Sequence, residues 1–408
     1  MTYSEIAIGM FIETVLFSAA GIALGVLAGL VPGLHPNTVL MVLASLVLAS
    51  GTISTYPFLA LVVSMSVVNT IVNFIPSIFL GAPEPDSCLS VLPGHRMLLR
   101  GEGYEALHLT VVGGVAVLLL TVIALPFVLW FIPFLYSNLR SYIHILLLAV
   151  LILLLMSEKG RMKAYSALFF MASGMMGFFL LSLYPGELVL FPALSGLFGF
   201  PVILTSMAQG TKLPPQATDV GSGHDWRKGG IGGWLAGMFV GILPGIGSAQ
   251  AGVIASRALR GNEKDFLIAL GGINTSNIIF TFIALQAIGK ARSGAAWAVS
   301  EVIGRIGLWD VGFIVMIALA SCLIASKITL RLGRGMARTM HNIDYRKVNS
   351  AVLVLMIALI LLITGPAGLA ITSICALLGM ACTRAGAKKM YLMGFLMLPT
   401  IMFFSGIS

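Results

Sequence analysis

GVLAGLVPGLHPNT (residues 25–38) and GMFVGILPGIGSAQ (residues 237–250) are two versions of one phrase. At an offset of 212 residues, Gly25, Gly29, Pro32 and Gly33 fall on Gly237, Gly241, Pro244 and Gly245. Each phrase interrupts an apolar stretch with a Pro-Gly break followed by small polar residues. In lipid, the backbone N–H and C=O groups freed by such a break must be buried in protein or line a wet cavity. Paired breaks in corresponding halves of a membrane protein point to a transporter's binding site.

The chain around these phrases is apolar from end to end, with 58% hydrophobic and 10% charged residues over 408 positions. A soluble domain carries about 25% charged residues, so this composition predicts an all-α polytopic integral membrane protein in the plasma membrane. The net charge of +9 is spread over many inter-helix loops. Orientation by the positive-inside rule accounts for it, and nucleic acid is not expected as a partner. Cys88, Cys322, Cys375 and Cys382 lack metal-ligand spacing and read as small packing residues. Glu5 and Glu13 are the only charges before His35, so no cleaved signal peptide is expected. There is no HExxH, Walker A or Cys/His metal motif. Asp86, Asp219, Asp225 and Asp310 fall in loops or at their edges. Neither an enzyme nor a cofactor is expected, and transport must run on a gradient or on a partner.

Taken in order, crossings are expected at residues 57–80, 109–135, 143–156, 164–183, 266–288, 311–326, 350–364, 368–382 and 390–404. Residues 187–207, with Pro192 and Pro201, either span or dip. A polar loop covers 81–108, with a short amphipathic piece at 96–107. Basic turns at Lys159–Arg161–Lys163, at Lys327 through Lys347 and at Arg384–Lys388–Lys389 belong in the cytoplasm. Sides alternate consistently only if 187–207 spans and the second phrase turns back, because residues 229–243 reach only about 22 Å at helical rise. The expected organisation is a first repeat at 1–208 with a re-entrant hairpin around 25–45, a polar connector at 209–228, and a second repeat at 229–408 with a hairpin around 231–257. About ten transmembrane helices and two re-entrant helical hairpins then form inverted repeats.

A half-helix ending at mid-membrane presents unsatisfied backbone groups, and its N-terminus carries about half a positive charge. Such ends bind anions without Lys or Arg. The candidates are Pro32, Gly33, His35, Asn37 and Thr38 in the first phrase, and Pro244, Gly245, Gly247, Ser248 and Gln250 in the second. A kink that packs helices is the competing reading. Asn69 and Asn73, one turn apart, and Asn274, Thr275 and Asn277, roughly 205 residues on, add amides and a hydroxyl in the crossing after each break. Interhelical hydrogen bonding is their structural alternative. Oxygens of Asn73, Asn277 and Ser248 suit a coupling sodium ion. His35 has no counterpart in the second phrase, where Gly247 stands, and is either a proton carrier or a structural hydrogen-bonding group.

PGLHPNT near the N-terminus, PGIGSAQ in the latter half and PGHRMLLRGEG (residues 93–103) together resemble the large membrane subunit of the tripartite tricarboxylate transporters. In that family the last of these reads like DGYPMAKKGEA. The resemblance implies a secondary transporter of carboxylate anions with cation coupling by sodium or protons and the two Pro-Gly loops at the substrate site. It also implies a small membrane subunit and an extracytoplasmic binding protein as partners. This chain departs from the family at Pro93, at His95-Arg96 and at Asn274-Thr275-Ser276-Asn277. A polyprenyl-phosphate translocase, which carries similar paired loops, and a non-transporting membrane scaffold are the alternatives. The absence of a basic residue at either tip favours a soluble carboxylate.

Overall fold

Inside a bilayer a chain can satisfy its own backbone only as helices or as a closed barrel, and this chain is helical. The computed structural model describes all residues except 1–2, 32–35, 51–53, 82–90, 210–212, 222–224, 243–247, 249–250, 253–254, 256–260, 290, 292, 341–344 and 407–408. In order the helices are α1 (Tyr3–Leu30), α2 (Pro36–Ser50), α3 (Thr55–Val72), α4 (Val91–Leu99), α5 (Gly103–Ile123), α6 (Leu125–Leu139), α7 (Ile143–Met156) and α8 (Met162–Leu183). They continue with α9 (Gly186–Leu194), α10 (Phe200–Gln209), α11 (Arg227–Ile242), α12 (Glu263–Ile288), α13 (Gly294–Val302), α14 (Leu308–Met340), α15 (Tyr345–Arg384) and α16 (Gly394–Ser405). Two π-helical turns, Pro76–Leu80 and Ser195–Gly199, extend α3 and join α9 to α10. Among the described residues eight helical stretches are long and apolar enough to cross a membrane, and α6 with α7, bent by 86°, is a ninth candidate. The chain is a multi-pass membrane protein.

Glycines at every fourth position set the main helix contacts. Gly21, Gly25 and Gly29 share one face of α1, and α3 lies against it. A Cβ on Gly21 would sit 2.5 Å from the Leu61 carbonyl oxygen, one on Gly25 2.6 Å from that of Met65, and one on Gly29 2.8 Å from Val72 Cβ. The second copy repeats this: Gly233, Gly237 and Gly241 of α11 meet Ala269, Ile273 with Ser276, and Phe280 of α12. The glycines correspond at an offset of 212 and their partners at 208, contact by contact. A further pair of contacts keeps the 208 offset. Ser321 of α14 donates to Ser64 of α3 at 3.0 Å, while Gly113 of α5 packs on Gly272 of α12. Each later helix thus packs on the central helix of the other half.

Several expected boundaries move. The crossing placed at 109–135 starts at Gly103, because Tyr104, Ala106 and Leu107 are buried. It ends at Ile123, where Pro126 has no N–H for the Val122 carbonyl; α6 then leads into the bend before α7. Correspondingly, the amphipathic piece placed at 96–107 is α4 plus a turn in which Gly101 has φ of 85°. Residues Leu188–Thr205 form a candidate span despite both prolines.

The basic loop after residue 326 is helix as far as Met340. Thr329, Gly333, Ala337 and Met340 are buried, whereas Lys327, Arg331, Arg334 and Arg338 are exposed. Over 33 residues α14 is about 50 Å long, well beyond a core of about 30 Å. Segments 350–364 and 368–382 are one helical run in α15, interrupted at Gly365 with φ of 70° and ψ of −161°. A Cβ on Gly368 would lie 3.0 Å from Ile360 Cγ2. Residues eight apart in a straight helix are about 12 Å apart along the axis, so the chain folds back at Gly365. The last expected crossing, 390–404, is a 3₁₀ turn at Lys389–Met393 followed by the 12-residue α16, too short for a helical span. Cys322, Cys375 and Cys382 are buried as packing residues, while Cys88 lies outside the described residues.

A Cβ on Gly113 would run into the Ile268 carbonyl oxygen, whereas Gly312 has open space within 4 Å. Gly113→Val is expected to lose about 1–3 kcal/mol through overpacking, and Gly312→Val to leave the protein unchanged. Melting temperature and monodispersity in detergent check this; equal melts would remove the α5–α12 contact as a determinant of the fold.

Candidate functional site

The middle of α3 carries polar residues on a buried helix: Asn69, Thr70 and Asn73 are 2%, 5% and 2% exposed. Pro76 cannot donate to the carbonyl of Val72. The helix is distorted there and continues as the π turn, ending at Gly81 with φ of 65°. In α12, Asn274 and Thr275 are fully enclosed. The two sets meet. Asn274 Nδ2 donates to the Thr70 carbonyl at 3.0 Å and lies 3.5 Å from Asn73 Oδ1. The Thr70 and Thr275 hydroxyls are 3.5 Å apart, and Thr70 Oγ1 donates to the Val67 carbonyl at 2.7 Å. Among the described residues Asn69 Nδ2 has no hydrogen-bond partner. Asn277 is partly buried, and its carbonyl accepts from Thr281 Oγ1 at 2.7 Å.

The ends of the two phrases lie against this cluster. α1 stops at Leu30, and a Cβ on Gly29 would be 3.2 Å from the Asn73 backbone nitrogen. The chain then returns, since Ser54 Oγ donates to Glu13 Oε2 at 3.2 Å. In the second copy, Gly241 packs on Phe280, but by Gly252 the chain is back beside Leu270 and Phe266. Ala251 shares a small core with Val240 and Ile273. In each copy the described residues before and after the Pro-Gly therefore run in opposite directions. Pro32, Gly33, His35, Pro244, Gly245, Gly247 and Gln250 lie outside the described residues. Asn37 and Thr38 are placed in the first turn of α2 by backbone alone. Ser248 is fully buried.

Contacts also revise how the two amide sets correspond. The 208 offset matches Asn69 with Asn277, Asn73 with Thr281 and Asn274 with Ser66, in place of the roughly 205 read from residue types. Thr70, which supplies the accepting carbonyl, and Thr281 join the site; each is a lone hydroxyl one turn from an Asn, a weak signal in sequence. Among the described residues the buried charges are Glu158, Asp265 and Lys389. Asp265 belongs to the capping box that opens α12. The cluster itself is built of neutral amides, hydroxyls and backbone.

The loop before α5 braces the start of α12. Arg100 Nη2 and Arg96 Nε approach Glu263 at 2.8 and 3.3 Å, and Lys264 Nζ contacts Glu105 at 2.5 Å. From the connector, Gln216 Nε2 donates to the Leu98 carbonyl at 2.9 Å and its Oε1 accepts from the Gly103 N–H at 3.0 Å. One side chain thereby satisfies the end of α4 and the start of α5. On α4, burial and then the nearby Lys389 ammonium push the His95 imidazole down to about 4. Burial likewise pushes Lys389 down to about 8.

The described residues thus place a buried, neutral amide cluster where two central helices of a multi-pass membrane protein cross. The chain belongs to the tripartite tricarboxylate transporter TctA family, whose model matches residues 15–394. It is 28% identical over 404 residues to the Uncharacterized protein MJ1079 of Methanocaldococcus jannaschii, covering 95% of this chain and 98% of that protein. No solved structure matches the chain.

Gln216→Ala is expected to lower stability by about 1–3 kcal/mol, because it leaves the Gly103 N–H without a partner, while the Leu98 carbonyl keeps the Gly101 N–H at 3.0 Å; an unchanged melt in detergent would show that water replaces the side chain. His95 sets a pH dependence. Its folded pKa lies below the ordinary 6.5, so its contribution is whole above that value and is lost as pH falls toward about 4. The melting temperature of the wild type should therefore drop more between pH 6.5 and 4 than that of His95→Gln, and equal slopes would exclude His95 as the source.

Proposed function

We propose that the chain is the permease subunit of a tripartite secondary transporter that moves a small organic anion, a di- or tricarboxylate, across the plasma membrane on a sodium or proton gradient. The observation that carries this reading is the convergence of both chain reversals on the α3–α12 amide cluster. Broken helices at membrane depth are tolerated where they are buried or line a cavity. Their ends supply N–H groups and a positive dipole to an anion, and Asn37, Thr38, Ser248 and Gln250 follow the breaks in sequence. A neutral site can release a multivalent carboxylate that a buried Arg or Lys would hold. The family description, a tripartite tricarboxylate transporter, supports the same substrate class, a small membrane subunit and an extracytoplasmic binding protein.

In this reading residues 1–208 and 229–408 are inverted repeats joined by the 209–228 connector. The reversals are re-entrant hairpins; α11, at 16 residues and about 24 Å, is too short to cross alone. The matched 212 and 208 offsets support the repeat. Counting both arms of α15 and the bent α6–α7 pair brings the spans to about ten. Oxygens of Asn73, Asn277 and Ser248 are the candidate sodium ligands, and His35 the candidate proton carrier.

Proteoliposomes carrying the chain, with and without its partner subunits, are expected to accumulate labelled di- or tricarboxylates under an imposed sodium or proton gradient. Collapse of that gradient should stop uptake. Failure under both gradients, together with binding of polyprenyl phosphate, would replace the carboxylate assignment by a lipid-phosphate one.

A further inference from the structure

Six polar residues crowd the α3–α12 crossing, and the structure separates them by what they already bond. Thr70, Asn73, Asn274 and Thr275 are engaged with one another across the crossing. Asn69 is not: its Nδ2 is enclosed, 2% exposed as a residue, and without a partner among the described residues. Buried donors are almost always paired, and leaving one unmade is costly. Such an amide has a donor to give to a ligand.

Its position says from where. Leu61, Ser64, Met65, Val68 and Val72 face α1, and Thr70 and Asn73 face α12. At about 100° per residue, Asn69 falls on the flank between these two faces, next to Asn73. That flank lies on the side of α3 between α1 and α12, at the level where Gly29 of α1 packs against Val72 and Asn73. The contact register supplies a second, independent observation. At the 208 offset Asn69 corresponds to Asn277, so the same amide occupies the same flank of both central helices. The engaged residues show no such match: Thr70 corresponds to Ile278, Thr275 to Val67 and Asn73 to Thr281. Asn277 is only partly buried, which leaves its side chain open to a ligand.

We infer that Asn69 and Asn277 are the amides that touch the transported anion, one from each copy, and that Thr70, Asn73, Asn274 and Thr275 form a clasp that positions α3 against α12. This partition rests on the anion-transport reading above. Two amide N–H donors on opposing flanks match the oxygens of one carboxylate, or of two carboxylates on a short chain. The clasp sets their separation and so determines which carboxylate fits.

The full chain is reconstituted with citrate as the probe, and the ligand-free melting temperature is measured alongside uptake. Asn69→Ala and Asn277→Ala are expected to raise KM for citrate about ten- to hundredfold, the scale of a hydrogen bond to a charged group. Ligand-free, Asn69→Ala should melt at or above the wild type, because an unsatisfied donor has gone. Asn69→Ser, which restores a donor, should recover part of the affinity. Asn274→Ala should melt lower, with a smaller change in KM for the protein that remains folded. The opposite order, Asn69→Ala melting low with KM unchanged, would overturn the partition. Wild-type protein that neither takes up citrate nor shows a citrate-induced melting shift would overturn the transport reading and the contact role together. In that case the ligand-free melts alone still decide which amides form the clasp.

Discussion

A helix that stops inside a membrane leaves backbone N–H and C=O groups that lipid cannot satisfy, so protein has to stand against the break. Here that requirement is met by glycine. Without Cβ atoms at Gly21, Gly25 and Gly29, or at Gly233, Gly237 and Gly241, α1 and α11 lie backbone to backbone on α3 and α12. Small residues permit such approach where apolar packing gives no hydrophobic driving force between helices. Close approach also carries the broken ends inward, until they rest beside the distorted part of α3 and beside Phe280 of α12.

Each central helix is then held by elements from both halves. α12 packs against α11 from its own half and against α5 and α3 from the other; α3 receives α1 and α14. The ion pairs between the α4–α5 turn and the first turn of α12 are partly exposed, and singly such pairs contribute little. Their effect is to hold the start of α12 in register with α5, whose Gly113 must meet Ile268. Gln216 extends the same bracing to the connector. The amide cluster therefore sits where helices of the two halves cross.

Much of this is legible in the sequence, and the illegible part has physical causes. Length and hydropathy reveal crossings because a helix must match the bilayer. The Pro-Gly phrases mark where α1 and α11 end, because Pro and Gly have backbone roles that no apolar context hides. Hydropathy misplaces the end of α14, since residues 327–340 are amphipathic and pack one face on α5 while exposing Lys327, Arg331, Arg334 and Arg338. It joins α5 to α6 because both are apolar, although Pro126 separates them. The clasp is also hidden, because donation from Asn274 to a Thr70 carbonyl depends on how two helices cross. No spacing within either helix encodes it.

The register shows most sharply what residue types cannot. Matching Asn with Asn by eye pairs the clusters at about 205, whereas packing pairs them at 208, close to one helical turn away. The difference changes the chemistry assigned to each residue. Under the packing register the two copies share one amide each, at Asn69 and Asn277, and differ at every residue of the clasp. A site between two related halves must be open to ligand from both sides yet fixed in width. Equivalent residues can provide the opening, but a contact that locks one helix to the other occupies the crossing itself. There the two copies compete for the same space, so that residues from one copy are filled by partners of a different type from the other. Asymmetry in the clasp and symmetry on the flanks are what such a crossing imposes.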